Sequence, residues 1–227
     1  MHRWMLMMLA GSVLLLTCAA GCESVVTTEP FGEPVRDADE LRERLAGSWV
    51  VGDEVLHLRI EDNGELHGAA LATTDDGFTM HEWRAVIHDH DDQWYLFLTT
   101  DEVDDDTDDK HFDFLRVSFA SPDTMLFMLP DVRTFREAVE ADRLAGEIQE
   151  RQFDPDQVDE HGEAVDEAIG TDGQTSGRSV RRRAVQRTIV LTDRPSLESF
   201  INSEEVGRQF HVDTPIVLRR LTPARQR

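Results

Sequence analysis

Residues 54–73 read EVLHLRIEDNGELHGAALAT, and their period decides the fold class. Leu56, Leu58 and Ile60 recur at every second position, with His57 and Arg59 between them. That is the alternation of a strand with one buried face, not the three-and-four spacing of a helix. Asn63-Gly64 then breaks the run among Asp and Glu residues. Both tolerate the backbone of a tight hairpin, so the stretch predicts two antiparallel strands joined by a short turn.

The same grammar extends to both sides. SWVV (48–51), FTMHEWRAVIH (78–88), QWYLFLT (93–99), FDFLRVSFA (112–120) and TMLFML (124–129) are apolar or alternating runs separated by Gly, Asp and Asn. Six or seven strands with no helix among them predict an antiparallel meander, as a curled sheet or a partial barrel. A helix precedes it in DADELRERLAG (37–47), where Asp37 and Glu40 form a capping pattern, Leu41 and Leu45 share a face, and Gly47 is the stop. Another follows Pro130, where DVRTFREAVEADRLAGEI (131–148) sets Val132, Phe135, Val139 and Leu144 on one stripe. TMLFMLPDVRTF (124–135) and TIVLTDRPSLESF (188–200) both run strand, proline, helix, with a Phe five residues after the proline. PIVLRRL (215–221) reads as one more strand. The expected fold is therefore α+β: an antiparallel meander sheet or partial β-barrel with two or three short helices. It forms a single domain over 37–222, because neither TIVL nor PIVLRRL could build a core by itself.

Two stretches lack any period. Residues 22–36 carry Pro30, Gly32 and Pro34 and are expected to be a flexible tether. Residues 154–186 hold many Asp, Glu, Gly and Ser and end in RSVRRRAVQR (178–187), which predicts a disordered acidic and arginine-rich loop. Arg178, Arg181, Arg182, Arg183 and Arg187 are expected to pair with nearby acids rather than with a foreign polyanion.

Residues 1–21 have the order of a signal peptide. His2 and Arg3 precede thirteen uncharged residues, Trp4 to Leu16, which are fewer than the roughly 18–20 a membrane-crossing helix requires. Ala19, Ala20 and Gly21 then lead directly to Cys22. This segment resembles the lipobox of bacterial lipoproteins, though Ala19 stands where that family usually has Leu. The resemblance implies cleavage before Cys22, a diacylglyceryl group on its thiol, and acylation of the new N-terminus. It also implies a place in the cell envelope, on the inner or the outer membrane. Several acyl chains anchor stably where one alone would be marginal. Separately, LAGSW (45–49) resembles the Gly-x-Trp opening of lipocalin-like barrels, which implies a barrel.

With Cys18 removed and Cys22 acylated, no disulfide is available, and burial must hold the fold together. The chain carries 23 basic and 46 acidic residues, a net charge of −23. This excludes nucleic acid as a natural partner, since phosphates would be repelled, and it argues against binding to anionic head groups through bases. Self-repulsion at that charge makes a monomer the expectation.

Candidate sites are few. His88 and His90 in HDHDD alternate on one strand face and could supply two imidazoles to a metal, but no local spacing dictates a third ligand. Asp104, Asp106 and Asp108 in DEVDDDTDDKH (101–111) alternate as calcium ligands do, yet Asp109 stands where the loop glycine belongs and Leu115 where the bidentate Glu belongs. Weak calcium binding is the most such a carboxylate cluster implies, and no other cofactor is expected. His211 and Asp213 could be two members of a triad without an evident serine, and nucleophile-elbow, zincin and phosphate-loop motifs are absent. A catalytic role is thus not expected. The reading is a membrane-anchored envelope lipoprotein with a non-catalytic binding or structural role, and an envelope protein is its candidate partner. Alternatives are a carrier of a small apolar ligand inside a barrel, and an envelope hydrolase.

Overall fold

The computed structural model describes residues 23–74, 77–99, 110–153, 184–203 and 206–221. The segment with Cys22, the acidic run 101–109 and residues 154–183 lie outside the described residues. The chain divides into two units. The smaller takes residues up to Ser24 and Gln149–Thr188, the larger Val25–Ile148 and Ile189–Arg227. In the smaller one, Arg187 donates to Glu150 at 2.6 Å and to Glu23 at 3.3 Å, and Ser24 Oγ donates to Thr188 Oγ1 at 3.3 Å.

The larger unit is built on the predicted meander. Its strands are β3 (Gly47–Val51), β4 (Glu54–Ile60), β5 (Leu66–Thr74), β6 (Gly77–His90), β7 (Gln93–Thr99), β8 (Phe112–Ser121) and β9 (Thr124–Met128), each antiparallel to the next. The C-terminal strand β12 (Ile216–Arg220) enters between β9 and β3, antiparallel to both, with Val217 opposite Leu126 and Arg219 opposite Val50. The eight strands β3 to β9 and β12 thus form a closed antiparallel barrel, which is consistent with a lipocalin-like barrel.

Near its start β8 leaves this ring. Phe112 and Asp113 pair with β1 (Glu23–Thr27), whereas Arg116 to Ser121 pair with β9. The larger unit's parts of β11 (Ala184–Leu191) and β10 (Gly146–Phe153) continue beyond β1, and β2 (Glu33–Pro34) pairs with β6. Residues 23–36 are therefore not a flexible tether. Val25, Val26 and Thr27 are buried, and Phe31 has no exposed surface at all.

Helices cover the barrel as the capping residues dictate. α1 (Ala38–Leu45) starts at Asp37, whose carboxylate accepts from Asp39 N and Glu40 N, and it buries Leu41 and Leu45. α2 (Val132–Glu140) starts at Asp131 and α3 (Arg194–Ile201) at Asp193, each of which caps its first turn; α4 (Val206–Gln209) is a single turn. The two strand-to-helix corners meet, with the Phe135 and Phe200 rings 5.4 Å apart. α2 is shorter than the expected 131–148. It ends at Ala141, Asp142 takes a positive φ of 52°, and Arg143 N and Leu144 N both turn back to Ala138 O. That reversal buries Leu144 without prolonging the helix and releases Gly146 into β10.

Two cores result. Trp94 and Leu96 point into the barrel, while their neighbours Tyr95 and Phe97 point out into a cluster with Phe114, Phe135, Phe200 and Phe210 under α2, α3 and α4. This explains why QWYLFLT is apolar without interruption. A strand covered on both faces has no polar side to alternate.

Candidate functional site

The barrel interior is packed with buried side chains, and its two ends are built differently. One end is sealed by α1. Trp49 Nε1 donates to Leu45 O at 2.8 Å. The Arg220 guanidinium lies 4.5 Å over the Trp49 ring and donates to Ala46 O at 3.0 Å, Arg44 O at 2.7 Å and Glu43 O at 3.3 Å, which satisfies the last carbonyls of α1. Arg44 reaches from the helix to lie 4.6 Å from the Trp94 centroid and 4.3 Å from that of Phe119. Trp49, Trp94 and Phe119 with the two guanidinium groups of Arg44 and Arg220 therefore shut this end, and Arg220 Nε is buried there without a hydrogen bond, 3.9 Å from the Asp123 carboxylate.

The middle is filled by apolar side chains. Leu56, Leu58, Ile60, Leu66, Ala85, Ile87 and Leu96 are all buried. Gly68 is required there, because a Cβ on it would sit 2.1 Å from the Trp83 indole, which lies across the bare backbone.

At the end away from α1, inward alternation brings Glu54 on β4, His81 on β6 and Asp113 on β8 to the same lining. Asp113 is the anomaly. It shares its face with Leu115 and Val117, stands opposite Leu98 of β7, and is half-buried with no hydrogen bond to its carboxylate among the described residues. Burial pushes its carboxyl up to about 6, against the opposing pull of His111. Glu54 is also raised, first by burial and then by Asp53. Chemically this is an apolar stretch of barrel wall with a carboxyl that carries its proton into the mildly acidic range. Such a group can hold a donor on an otherwise apolar molecule. The sequence contained one signal for it: in FDFLRVSF the acid falls on the inward parity of Leu115 and Val117.

The residues selected from sequence have other surroundings. His88 and His90 do share a face of β6, as their spacing predicts, and both face residues 31 and 32. His88 Nδ1 is 2.9 Å from Phe31 O, and burial holds its pKa below the usual imidazole value, against the carbonyl groups of Phe31 and Gly32. The His90 ring is 5.8 Å from that of Phe31. Among the described residues no three His, Cys, Asp or Glu side chains are placed to hold a metal. Asp104, Asp106, Asp108 and Cys22 lie outside the described residues, while His211 and Asp213 are exposed on the loop before β12.

Phe31, which no period pointed to, is an anchoring knob. Its ring packs edge-on against Tyr95 at 4.7 Å, Phe97 at 5.0 Å and Phe114 at 5.6 Å. Next to it, Gly32 N donates to Glu198 Oε1 at 2.9 Å and Gly32 O accepts from Arg194 at 2.6 Å, while Arg194 Nε pairs with the same Glu198 at 2.7 Å. Burial opposes ionisation of Glu198, yet these donors outweigh it and hold the carboxyl below the usual range. Gly32 has φ +73°, and a Cβ there would lie 2.4 Å from Asp89 O, so no other residue fits this approach.

No protein-family model, curated protein or solved structure matches the chain.

Proposed function

We infer that the protein is a lipoprotein of the bacterial cell envelope, fastened to a membrane through acyl chains on Cys22, with a binding role and no catalytic one. The observation that carries this reading is the junction itself. Small residues lead to a cysteine at position 22, in the order a lipobox has, and Val25 and Val26, three and four positions later, are already buried in the fold. Among the described residues no helix is long and apolar enough to cross a membrane. Detergent-phase partitioning of the exported chain tests it. The parent protein enters the detergent phase and Cys22→Ala remains in the aqueous phase; a parent protein already in the aqueous phase refutes the anchor.

The closed barrel and Asp113 favour one form of binding over the others, the carriage of a small apolar molecule with a hydrogen-bond donor. A barrel of eight strands is about the size that side chains fill or a single small ligand occupies. Its sealed end at α1 leaves the Asp113 end as the way in. A lipophilic fluorescent probe that is displaced by extracted lipid, and bound more weakly by Asp113→Asn, supports the carrier. No probe binding by the parent protein removes it.

A further inference from the structure

Net charge makes a monomer the expectation, but it averages over faces that the fold keeps apart. Alternation turns the odd-numbered residues of β4 and β5 and the even-numbered ones of β6 outward. Register then sets Met80 beside Leu71, Leu71 beside Val55 and Val55 beside Val50, one row across β6, β5, β4 and β3. Phe78 is the next outward residue along β6. Phe78 is 75% exposed, Met80 62%, Leu71 43% and Val55 36%. For side chains of roughly 150–200 Å² each, that is about 400 Å² of connected apolar surface. Single exposed apolar residues need no explanation, but a connected patch of this size marks a contact surface.

Charge decides what can cover it. Along the outward positions of these strands, the β4–β5 turn and β12, Arg59, Arg84 and Arg219 stand against Glu61, Glu65 and Glu82. Asp62 in that turn is paired with Arg42 at 2.7 Å, and Asp53 in the β3–β4 turn adds one exposed acid. A face of nearly balanced charge thus sits on a chain of net charge −23. At physiological salt, exposed charges more than about 8 Å apart are largely screened. The local balance, not the total, therefore decides whether two copies repel where they touch. Glu82, Arg84 and Arg219 are exposed and have no ion pair among the described residues. A second copy offers each of them an opposite charge, whereas a balanced face neither draws in an anionic surface nor selects a partner of one sign.

We propose that two copies of this chain meet through the outer face of β3–β6, each placing its row from Phe78 and Met80 to Val50 against that of the other. Such an isologous contact uses the same patch twice, once from each copy. A standard interface takes about 800 Å² from each partner. The apolar patch supplies about half of that, and the next outward row, His57, Ala69 and Glu82, lies alongside to extend it. An interface of that size with a small apolar centre is at the weak end of specific association, so the dimer dissociates at micromolar concentration. The contact does not depend on the anchor. β1 pairs with β8, which stands across the ring from β4, so a second copy on this face leaves the start of the fold uncovered.

Sedimentation equilibrium of the exported chain in density-matched detergent, and of Cys22→Ala in buffer, tests the contact with and without acyl chains. The expected result in both is a reversible monomer–dimer equilibrium. It tightens as salt rises from about 0.05 to about 0.5 M, because repulsion between the remaining acids is screened and the apolar contact is not. Phe78→Glu and Met80→Glu each weaken it by about tenfold or more, whereas Arg133→Glu on α2 leaves it unchanged. Both positions are exposed, so these variants keep the parent's melting temperature. An environment-sensitive fluorophore on His57→Cys, beside the patch, shifts to the blue as protein concentration rises, and this readout stands even where a Glu variant folds poorly. A parent chain that stays monomeric up to about 0.5 mM overturns the proposal. So does a dimer indifferent to Glu at 78 and 80, since another surface then forms it. Shielding at position 57 that requires lipid vesicles or added envelope extract, at fixed protein concentration, gives the face to a different occupant and overturns the proposal equally.

Discussion

Replacing Asp113 by Asn removes a proton-binding group from the barrel wall and changes almost nothing in its shape. An exposed aspartate titrates near about 3.9; Asp113 titrates at about 6 because burial disfavours its charge. The folded protein therefore holds a proton that the unfolded chain has already released between about pH 4 and pH 6. Where the native state binds more protons, stability falls as pH rises. Asp113 costs nothing below about pH 4 and its full penalty above about pH 6–7. A shift of about two units corresponds to about 3 kcal/mol. His111 beside it works against burial, and the value of about 6 is what remains after that opposition. Asp113→Asn should thus match the parent protein at pH 4 and exceed its stability by about 2–3 kcal/mol at pH 7. Urea unfolding followed by tryptophan fluorescence at a series of pH values measures the difference. The remaining carboxylates titrate equally in both proteins, so they cancel. A gap that is the same at pH 4 and pH 7, or a variant less stable than the parent at pH 7, would refute the placement of Asp113 in the apolar lining.

Other substitutions test the rest of the construction. Gly68→Ala drives a methyl group into the Trp83 indole and should cost about 1–3 kcal/mol through overpacking, seen as a lower melting temperature with altered tryptophan emission; an unchanged melt would show that the ring is not held over the glycine. Arg220→Lys keeps the charge but loses the planar fork over Trp49 and the reach to three carbonyls, so a loss of about 2 kcal/mol, or roughly 4–8 °C in melting temperature, is expected. Phe31→Ala should cost about 3–5 kcal/mol, whereas Glu33→Ala, which removes one exposed pairing with Arg194, should cost well under about 1 kcal/mol. Comparable melts for these two would mean that residues 28–34 are not docked on the aromatic cluster.

What was legible in the sequence follows from how far each determinant reaches along the chain. The inward set of β4, the Asn63-Gly64 hairpin and the aspartate caps of α1, α2 and α3 depend on neighbours within a few positions, and their patterns survive in a single sequence. Closure of the barrel does not. That β12 lies between β9 and β3 depends on edges left free by strands far away in the chain, and PIVLRRL looks the same whether it lies at an edge or joins two. Residues 23–36 misled for a different reason. Their attachment comes from one aromatic ring and from the backbone groups of Gly32, and neither leaves a period to detect.

Arg219 and Arg220 show how much the missing long-range information matters. As a pair in RRL they read as one more exposed basic spot at the end of a strand. Once β12 is placed, alternation turns them in opposite directions. Arg220 faces inward, where its guanidinium lies over Trp49 and takes up the carbonyls of α1, so it is an element of the barrel's seal. Arg219 faces outward, opposite Val50, and has no ion pair among the described residues. Exchanging the two roles would require a one-residue slip of β12, which would also expose Leu218 and bury Val217. The packing of Leu218 therefore fixes which arginine closes the barrel and which faces solvent.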